Sequence, residues 1–147
     1  MSVEKIDRKI SVIFATDVVD YSLHMEKDES GTVTSLRTYE KILKQAFKKH
    51  GGRLFNTGGD SFMAEFSSAV KAVECAIDFQ NIVKEKNIKP ALSFRIGINA
   101  GDVILQKKNL LGDGVNVAAR LEQLSQPDGI TISKSIFDYI EGKLDLK

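Results

Sequence analysis

The chain predicts an α+β fold with an antiparallel-rich sheet, from the order and kind of its apolar patterns. A short β-branched run is followed by a long stretch of helical periodicity, a glycine-centred hairpin, a second helical stretch and an alternating strand. Strand–helix–hairpin–helix–strand order is that of an α+β sandwich. A chain of 147 residues has the length of one domain with a real core. We therefore expect residues 1–147 to form a single domain.

Each element has its own signal. Ile10 to Ala15 is short, apolar and β-branched, which predicts a buried strand. From about Tyr21 to Lys49, Val33, Leu36, Leu43, Ala46 and Phe47 form a helical stripe that Gly51-Gly52 ends. Two strand-like pieces flank Gly58-Gly59, a hairpin signal. Ser67 or Ser68 caps a helix through about Glu85, with Val70, Val73, Ala76, Ile77 and Val83 inward. Pro90 marks the break. Leu92 to Ala100 alternates as a strand, and Val103 to Gln106 reads as its hairpin partner. A helix over Gly114 to Leu124, a short strand at Ile130 to Ile132 and a helix from Ser133 to Ile140 complete the order.

Composition narrows the function. The 42% hydrophobic and 28% charged residues are ordinary for a globular protein. A net charge of +1 offers no basic footprint for nucleic acid. No apolar run approaches the roughly 20 residues a membrane span needs. Met1 to Lys9 is polar and lacks a signal-peptide core. The one cysteine, Cys75, forms no internal disulfide, which fits a reducing cytoplasm, and its apolar helical setting predicts a buried, inert thiol.

Three segments carry the chemistry. In Gly112-Asp113-Gly114-Val115-Asn116-Val117-Ala118-Ala119-Arg120, Asn116 and Arg120 stand four residues apart, so one helix face carries both. An amide and a guanidinium held side by side suit a phosphate and a ribose-type oxygen; a solvated polar face is the alternative. Asp17 follows the first strand at its C-terminal end, where α/β folds place ligands. Asp60 sits just past the glycine turn. If the hairpin lies beside the first strand, the two carboxylates converge and repel unless a cation lies between them, and Mg²⁺ takes a few carboxylates plus substrate phosphates. Taken singly, Asp17 also reads as a helix cap and Asp60 as a turn residue.

Other polar residues read as structural. His24 and His50 belong in or beside helices, Asp113 reads as an N-cap, and Asp20 as a cap or a support for Asp17. Arg95 reads as a strand residue that pairs with a carboxylate. Lys107-Lys108 reads as a solvated hairpin tip.

Together the motifs resemble the catalytic domain of class III adenylate/guanylate cyclases of bacterial type, from about Lys9 to the end. The resemblance is carried by Phe14 to Ser22, Thr57 to Phe66, Phe94 to Val103 and the Gly112 to Glu122 helix. It implies a ferredoxin-like palm core (βαββαβ). It also implies two Mg²⁺ or Mn²⁺ ions per site on Asp17 and Asp60, and transition-state contacts from Asn116 and Arg120 across a homodimer interface. The backbone of Val18, Val19, Asp20, Tyr21 and Ser22 would cradle the triphosphate. The implied substrate is a nucleoside triphosphate, ATP ahead of GTP, cyclised to its 3′,5′-monophosphate with release of pyrophosphate.

The chain departs from the family pattern at two places. Adenylate cyclases carry Lys at the position of Asn56 and Asp or Thr at that of Asn109; guanylate cyclases typically carry Glu and Cys. An amide offers both a donor and an acceptor, so the base is open. Family members also continue past Lys147 with a final hairpin whose Lys contacts the triphosphate, and that hairpin is missing here. This is either a truncated piece or a reduced member. Two other readings stand beside the cyclase: a cyclase-like module that only binds nucleotide or dimerises, and a diguanylate cyclase, whose Gly-Gly-Asp-Glu-Phe hallmark looks like Gly58-Gly59-Asp60-Ser61-Phe62.

Overall fold

The structure, a computed structural model, describes residues 6–144; the polar start and the last three residues, 145–147, lie outside the described residues. Among the described residues five helices and six strands follow one another as β1 (Asp7–Val18), α1 (Tyr21–Lys27), α2 (Glu29–His50), β2 (Arg53–Gly58), β3 (Ser61–Phe66), α3 (Ala69–Glu85), β4 (Phe94–Gln106), β5 (Asn109–Leu111), α4 (Asp113–Leu124), β6 (Ile130–Ile132) and α5 (Lys134–Ile140). The sheet order is β2-β3-β1-β4-β5, with β6 parallel to the start of β4. Within it, β2-β3-β1-β4 is the antiparallel order of the expected βαββαβ palm core.

Alternation along β1 splits the molecule into two layers. Val12, Phe14 and Val18 face a large core that holds Leu36, Leu43 and Phe47 of α2, Val73, Ala76 and Phe79 of α3, and Ile136 and Ile140 of α5. Phe14 and Phe47 meet edge-on at 5.1 Å, a geometry that contributes about 0.5–1.5 kcal/mol beyond area burial. Ile13 and Ala15 face the other way, into a smaller cluster with Val103, Leu110, Val115 and Ala118. That second cluster seats α4. Period-two alternation thus places Asp17 on the α4 face of the sheet.

Several boundaries differ from the sequence reading. The strand expected at Ile10 to Ala15 runs from Asp7 to Val18, because β4 pairs with it along its whole length, from Asp7 opposite Leu105 to Val18 opposite Phe94. For the same reason Val103 to Gln106 is not a hairpin partner but the continuation of β4; the partner is β5, which returns from Lys107-Lys108. The single helix expected over Tyr21 to Lys49 breaks at Asp28, whose carboxylate caps the amide of Gly31 at 3.0 Å and starts a new helix. In α2, Val33 is only half-buried while Thr32, Ser35 and Tyr39 join the stripe.

In α3 the buried face is Ala69, Ala72, Val73, Cys75, Ala76, Phe79 and Val83, so Ile77, expected inward, is exposed. The buried arc runs through Ala72, Ala76 and Val83, and Ile77 falls outside it. The expected cap is Ser68, which accepts from the amide of Lys71. Asp113 is not the cap of α4: Gly112 holds that position at φ 103 and Asp113 is the first helical residue. Asp20 occupies the cap position of α1 at φ 56, with no side-chain capping bond. Cys75 is buried, and burial pushes its thiol up to about 12, so it is inert at neutral pH. His50 closes α2 and bonds Asp78 of α3 at 3.1 Å. Among the described residues no helix is long and apolar enough to cross a membrane.

Candidate active site

Asp17 lies one residue from the end of β1, directly opposite Arg95 of β4. The guanidinium meets it with a pair of bonds, Nε to Oδ1 at 3.1 Å and Nη2 to Oδ2 at 2.9 Å. Such a forked contact is both strong and orienting. Gln123, at the end of α4, donates to Asp17 Oδ2 at 3.2 Å and accepts from Arg95 at 3.3 Å. Arg95 was expected to pair with a carboxylate; that carboxylate is the proposed metal ligand.

Asp60 reaches the same end of the sheet from the β2–β3 turn. Gly59 takes φ 62 at the first turn position, which a two-residue hairpin of this kind requires, so Asp60 lies in the turn itself rather than past it. Its Oδ2 accepts from the amide of Val18 at 3.3 Å, which ties the turn to the end of β1. Burial raises the Asp60 carboxyl above its ordinary value; bonds from its own and the Val18 backbone oppose this, the Asp17 charge adds to it, and Arg95 lowers it. Asp17, Asp60 and Arg95 therefore form one electrostatic cluster.

Glu122 completes that cluster and was not anticipated. It is buried on the inner face of α4, beside Ala118, and bonds Gln123. Burial first and the Asp17 charge second push its carboxyl up to about 7. The sequence holds a signal for it: Val115, Ala118 and Glu122 follow a helical apolar spacing, and a carboxyl on an apolar stripe is costly unless it is paired.

Close approach of α4 to β4 makes these contacts. A Cβ at Gly97 would lie 2.3 Å from the Glu122 amide nitrogen and 2.5 Å from the Ala118 carbonyl oxygen, so only glycine lets the helix pack there. Asn99 anchors the other end of the helix, donating from Nδ2 to the carbonyl of Gly114 at 3.0 Å.

Asn116 and Arg120 stand on the opposite, solvent-facing side of α4. Neither makes a side-chain hydrogen bond among the described residues. The structure thus brings Asp17 and Asp60 to one end of the sheet and leaves Asn116 and Arg120 facing away from them.

Of the backbone read as a triphosphate cradle, Val18 already donates to Asp60 and Val19 to the carbonyl of Ser93 at 2.8 Å. The amides of Asp20, Tyr21 and Ser22, at the opening of α1, are the remaining part. Asn56 is exposed in β2, next to a bulge between Leu54 and Asn56. Asn109 opens β5, and its Oδ1 accepts from the amide of Leu110 at 2.9 Å, which leaves its amino group free to donate.

The donor set fits a hard cation. No group of three or more His, Cys, Asp or Glu is arranged to hold a metal among the described residues. Two carboxylates, one of them raised by burial and by its neighbour's charge, match the way Mg²⁺ takes one or two carboxylates and completes its shell with water and phosphate.

The comparisons give the family of a chain with this split arrangement, acids at a sheet end and an amide–guanidinium pair on a helix. The model of the adenylate and guanylate cyclase catalytic domain matches residues 2–146. The chain is 41% identical over 151 residues to a Rhizobium meliloti (strain 1021) protein whose name marks it as a candidate adenylate cyclase, covering 99% of this chain and 26% of that protein. Among solved structures it is similar to an adenylate/guanylate cyclase/hydrolase from Silicibacter pomeroyi, at 32% identity and TM-score 0.86 over 96% of this chain and 85% of that one. The guanylate cyclase domain of RhGC from Catenaria anguillulae, solved in complex with GTP, matches at 25% identity and TM-score 0.83 over 96% of this chain and 90% of that one. The chain belongs to the adenylate and guanylate cyclase catalytic domain family. It spans about a quarter of the length of the Rhizobium relative, 26%.

Proposed function

We propose that this chain is a nucleotide cyclase catalytic domain that works as a homodimer on a nucleoside triphosphate, ATP ahead of GTP. The ribose 3′-oxygen forms a bond to the α-phosphorus, the bond from that phosphorus to the bridging oxygen breaks, and pyrophosphate leaves with that oxygen. The hydroxyl proton passes to solvent.

The observation that carries this reading is the exposed pair on α4. Asn116 and Arg120 face away from Asp17 and Asp60 of their own chain, so a second copy is needed to bring both halves to one substrate. Asp17 and Asp60 bind from one protomer. Arg120 of the other meets charge developing at the α-phosphate, and Asn116 orients the ribose. Amides at the opening of α1 hold the triphosphate. Asp17 and Asp60 would hold two Mg²⁺ or Mn²⁺ ions, which when bound would neutralise phosphate charge and lower the pKa of the attacking hydroxyl. Arg95 holds the Asp17 carboxylate in the metal-free chain and yields it to an incoming ion. The buried, inert Cys75 suits a cytoplasmic setting.

Incubation with ATP or GTP and Mg²⁺ or Mn²⁺, followed by separation of products, tests the proposal. We expect a 3′,5′-cyclic mononucleotide and equimolar pyrophosphate; a cyclic dinucleotide, or no product at all, overturns it. Arg95 seated on Asp17 and an amide at both base positions favour a second reading, a nucleotide-binding and dimerising module without turnover. Tight nucleotide binding with no product would establish that one.

For base choice we propose weak discrimination. Asn56 is free to present either its donor or its acceptor, while Asn109 presents its amino group. Changing Asn56→Lys together with Asn109→Asp should sharpen preference for ATP, read as the ratio of kcat/KM for the two nucleotides.

A further inference from the structure

The strands that carry Asn56 and Asn109 are the two edges of the β2-β3-β1-β4-β5 path, yet the sheet curls and the two strands meet. They wrap the cluster of Ile13, Val103 and Leu110, against which Phe55 of β2 and Leu105 of β4 pack. One side chain closes the gap directly. Arg53 of β2 donates from Nε to Glu65 Oε1 at 2.7 Å and from Nη1 to the carbonyl of Lys108 at 2.9 Å. Lys108 immediately precedes Asn109, and Arg53 lies three residues before Asn56.

Glu65 is an anchored partner rather than a loose surface acid. Its Oε2 receives Lys9 Nζ at 3.0 Å and Ser11 Oγ at 3.2 Å, both from β1. Burial would raise this carboxyl, but bonds from Lys9 and Arg53 outweigh it and hold the group below its ordinary value. A charged acceptor pinned from β1 thus fixes one side of the guanidinium, and the planar fork fixes the other. Beside this guanidinium lies a shallow, open depression lined by Phe55, Gln106, Lys107, Lys108 and Asn109.

We propose that Arg53 is a positioning residue for base choice: by tying β2 to the residue before Asn109, it sets the gap across which Asn56 and Asn109 meet a purine edge. The inference rests on the assignment of those two amides to base reading in the proposed function. A gap held by one guanidinium discriminates between bases only while it is held, because a site that relaxes around either base leaves fewer polar groups unpaired. Lysine cannot replace it, since one ammonium does not reproduce the rigid fork that spans a carboxylate and a carbonyl at once.

The experiment measures equilibrium binding of the 3′-deoxy analogues of ATP and GTP, with Mg²⁺, in the Asn56→Lys/Asn109→Asp background and in that background with R53M, R53K or R53Q added. We expect the double change alone to favour the adenine nucleotide by about tenfold or more. Each Arg53 change should bring the ratio of dissociation constants back to within about threefold of unity, with no rescue by R53K. A ratio that stays sharp in every folded Arg53 variant, with only the melting temperature lowered, overturns the strap and leaves base reading intact. If the double change leaves the wild-type ratio where it was, base reading by Asn56 and Asn109 fails, and the proposal falls with it. Because the Arg53 side chain is 44% exposed, R53Q and R53K give folded variants to read.

Discussion

Arg95 and Asp17 are directly opposed across β4 and β1, and the guanidinium grips both carboxylate oxygens, at 3.1 and 2.9 Å. A protein cation thus already holds both oxygens of the proposed metal ligand, and on that reading an incoming ion competes with it for one carboxylate. Arg95→Met leaves Asp17, Asp60 and Glu122 together with no balancing charge. The metal-free variant should lose about 2–4 kcal/mol of stability, as expected when one partner of a half-buried pair is removed. Mn²⁺ should restore much of that loss and bind more tightly than to wild type. Thermal melts with and without Mn²⁺ check this; a variant that Mn²⁺ does not stabilise would show that Asp17 is not a metal ligand.

Asp60→Asn keeps an acceptor for the Val18 amide while it removes a carboxylate raised by burial and by the Asp17 charge. Its fold should be at least as stable as wild type at neutral pH, while metal-dependent turnover falls by about a thousandfold or more. Urea melts and product assays on the same preparation separate the two effects. Lost turnover with lost stability would make Asp60 structural.

Asp17 and Arg120 should complement each other in trans. A mixture of Asp17→Ala and Arg120→Ala chains can form one heterodimer site with all four groups intact, whereas each homodimer has none. Activity should reappear on mixing, up to about a quarter of wild type for random pairing with one site of two restored. No recovery, where wild type is active, would count against a shared site.

Glu122 has a carboxyl raised by burial and by Asp17 to about 7, against an ordinary 4.5. For an acid whose pKa rises on folding, the folded state is favoured while the group is protonated, so this contribution is present below about pH 4.5 and is lost as pH rises through 7. Metal-free wild type should therefore lose stability from about pH 5 to pH 8, at up to about 1.4 kcal/mol per pH unit. Glu122→Gln should flatten that slope and be the more stable chain at pH 8. Chemical denaturation in chelator across this range is the check, and parallel curves for the two chains would refute the assignment.

Gly97 lies where a methyl group would press on the α4 backbone, 2.3 Å from the Glu122 nitrogen and 2.5 Å from the Ala118 oxygen. Neither backbone atom can swing away. Gly97→Ala should destabilise the chain by about 2–3 kcal/mol through overpacking, and should cost activity even where the fold survives, because α4 shifts with Asn116 and Arg120 on it. Melting and nucleotide binding together read both effects.

Local signals decided which elements exist. Period-two and period-3.6 patterns marked strand and helix, Gly51 and Ser68 stopped and started helices, and Gly58-Gly59 located the hairpin that carries Asp60. Asp17, Asp60, Asn116 and Arg120 stand out as candidates because each lies next to such a signal, as an isolated polar residue beside an apolar run. Pairing between distant strands decided the rest. Nothing within Val103 to Gln106 announces that the strand continues; β1 holds it there across about ninety residues of chain, from Lys9 opposite Val103 onward. The grip of Arg95 on Asp17, the burial of Glu122 beside them and the reach of Arg53 to Lys108 are products of register and sheet curl. Sequence periodicity reports which face a residue takes on its own element, but a bond between two elements depends on how they are laid against each other, and that is settled only when the whole sheet has formed.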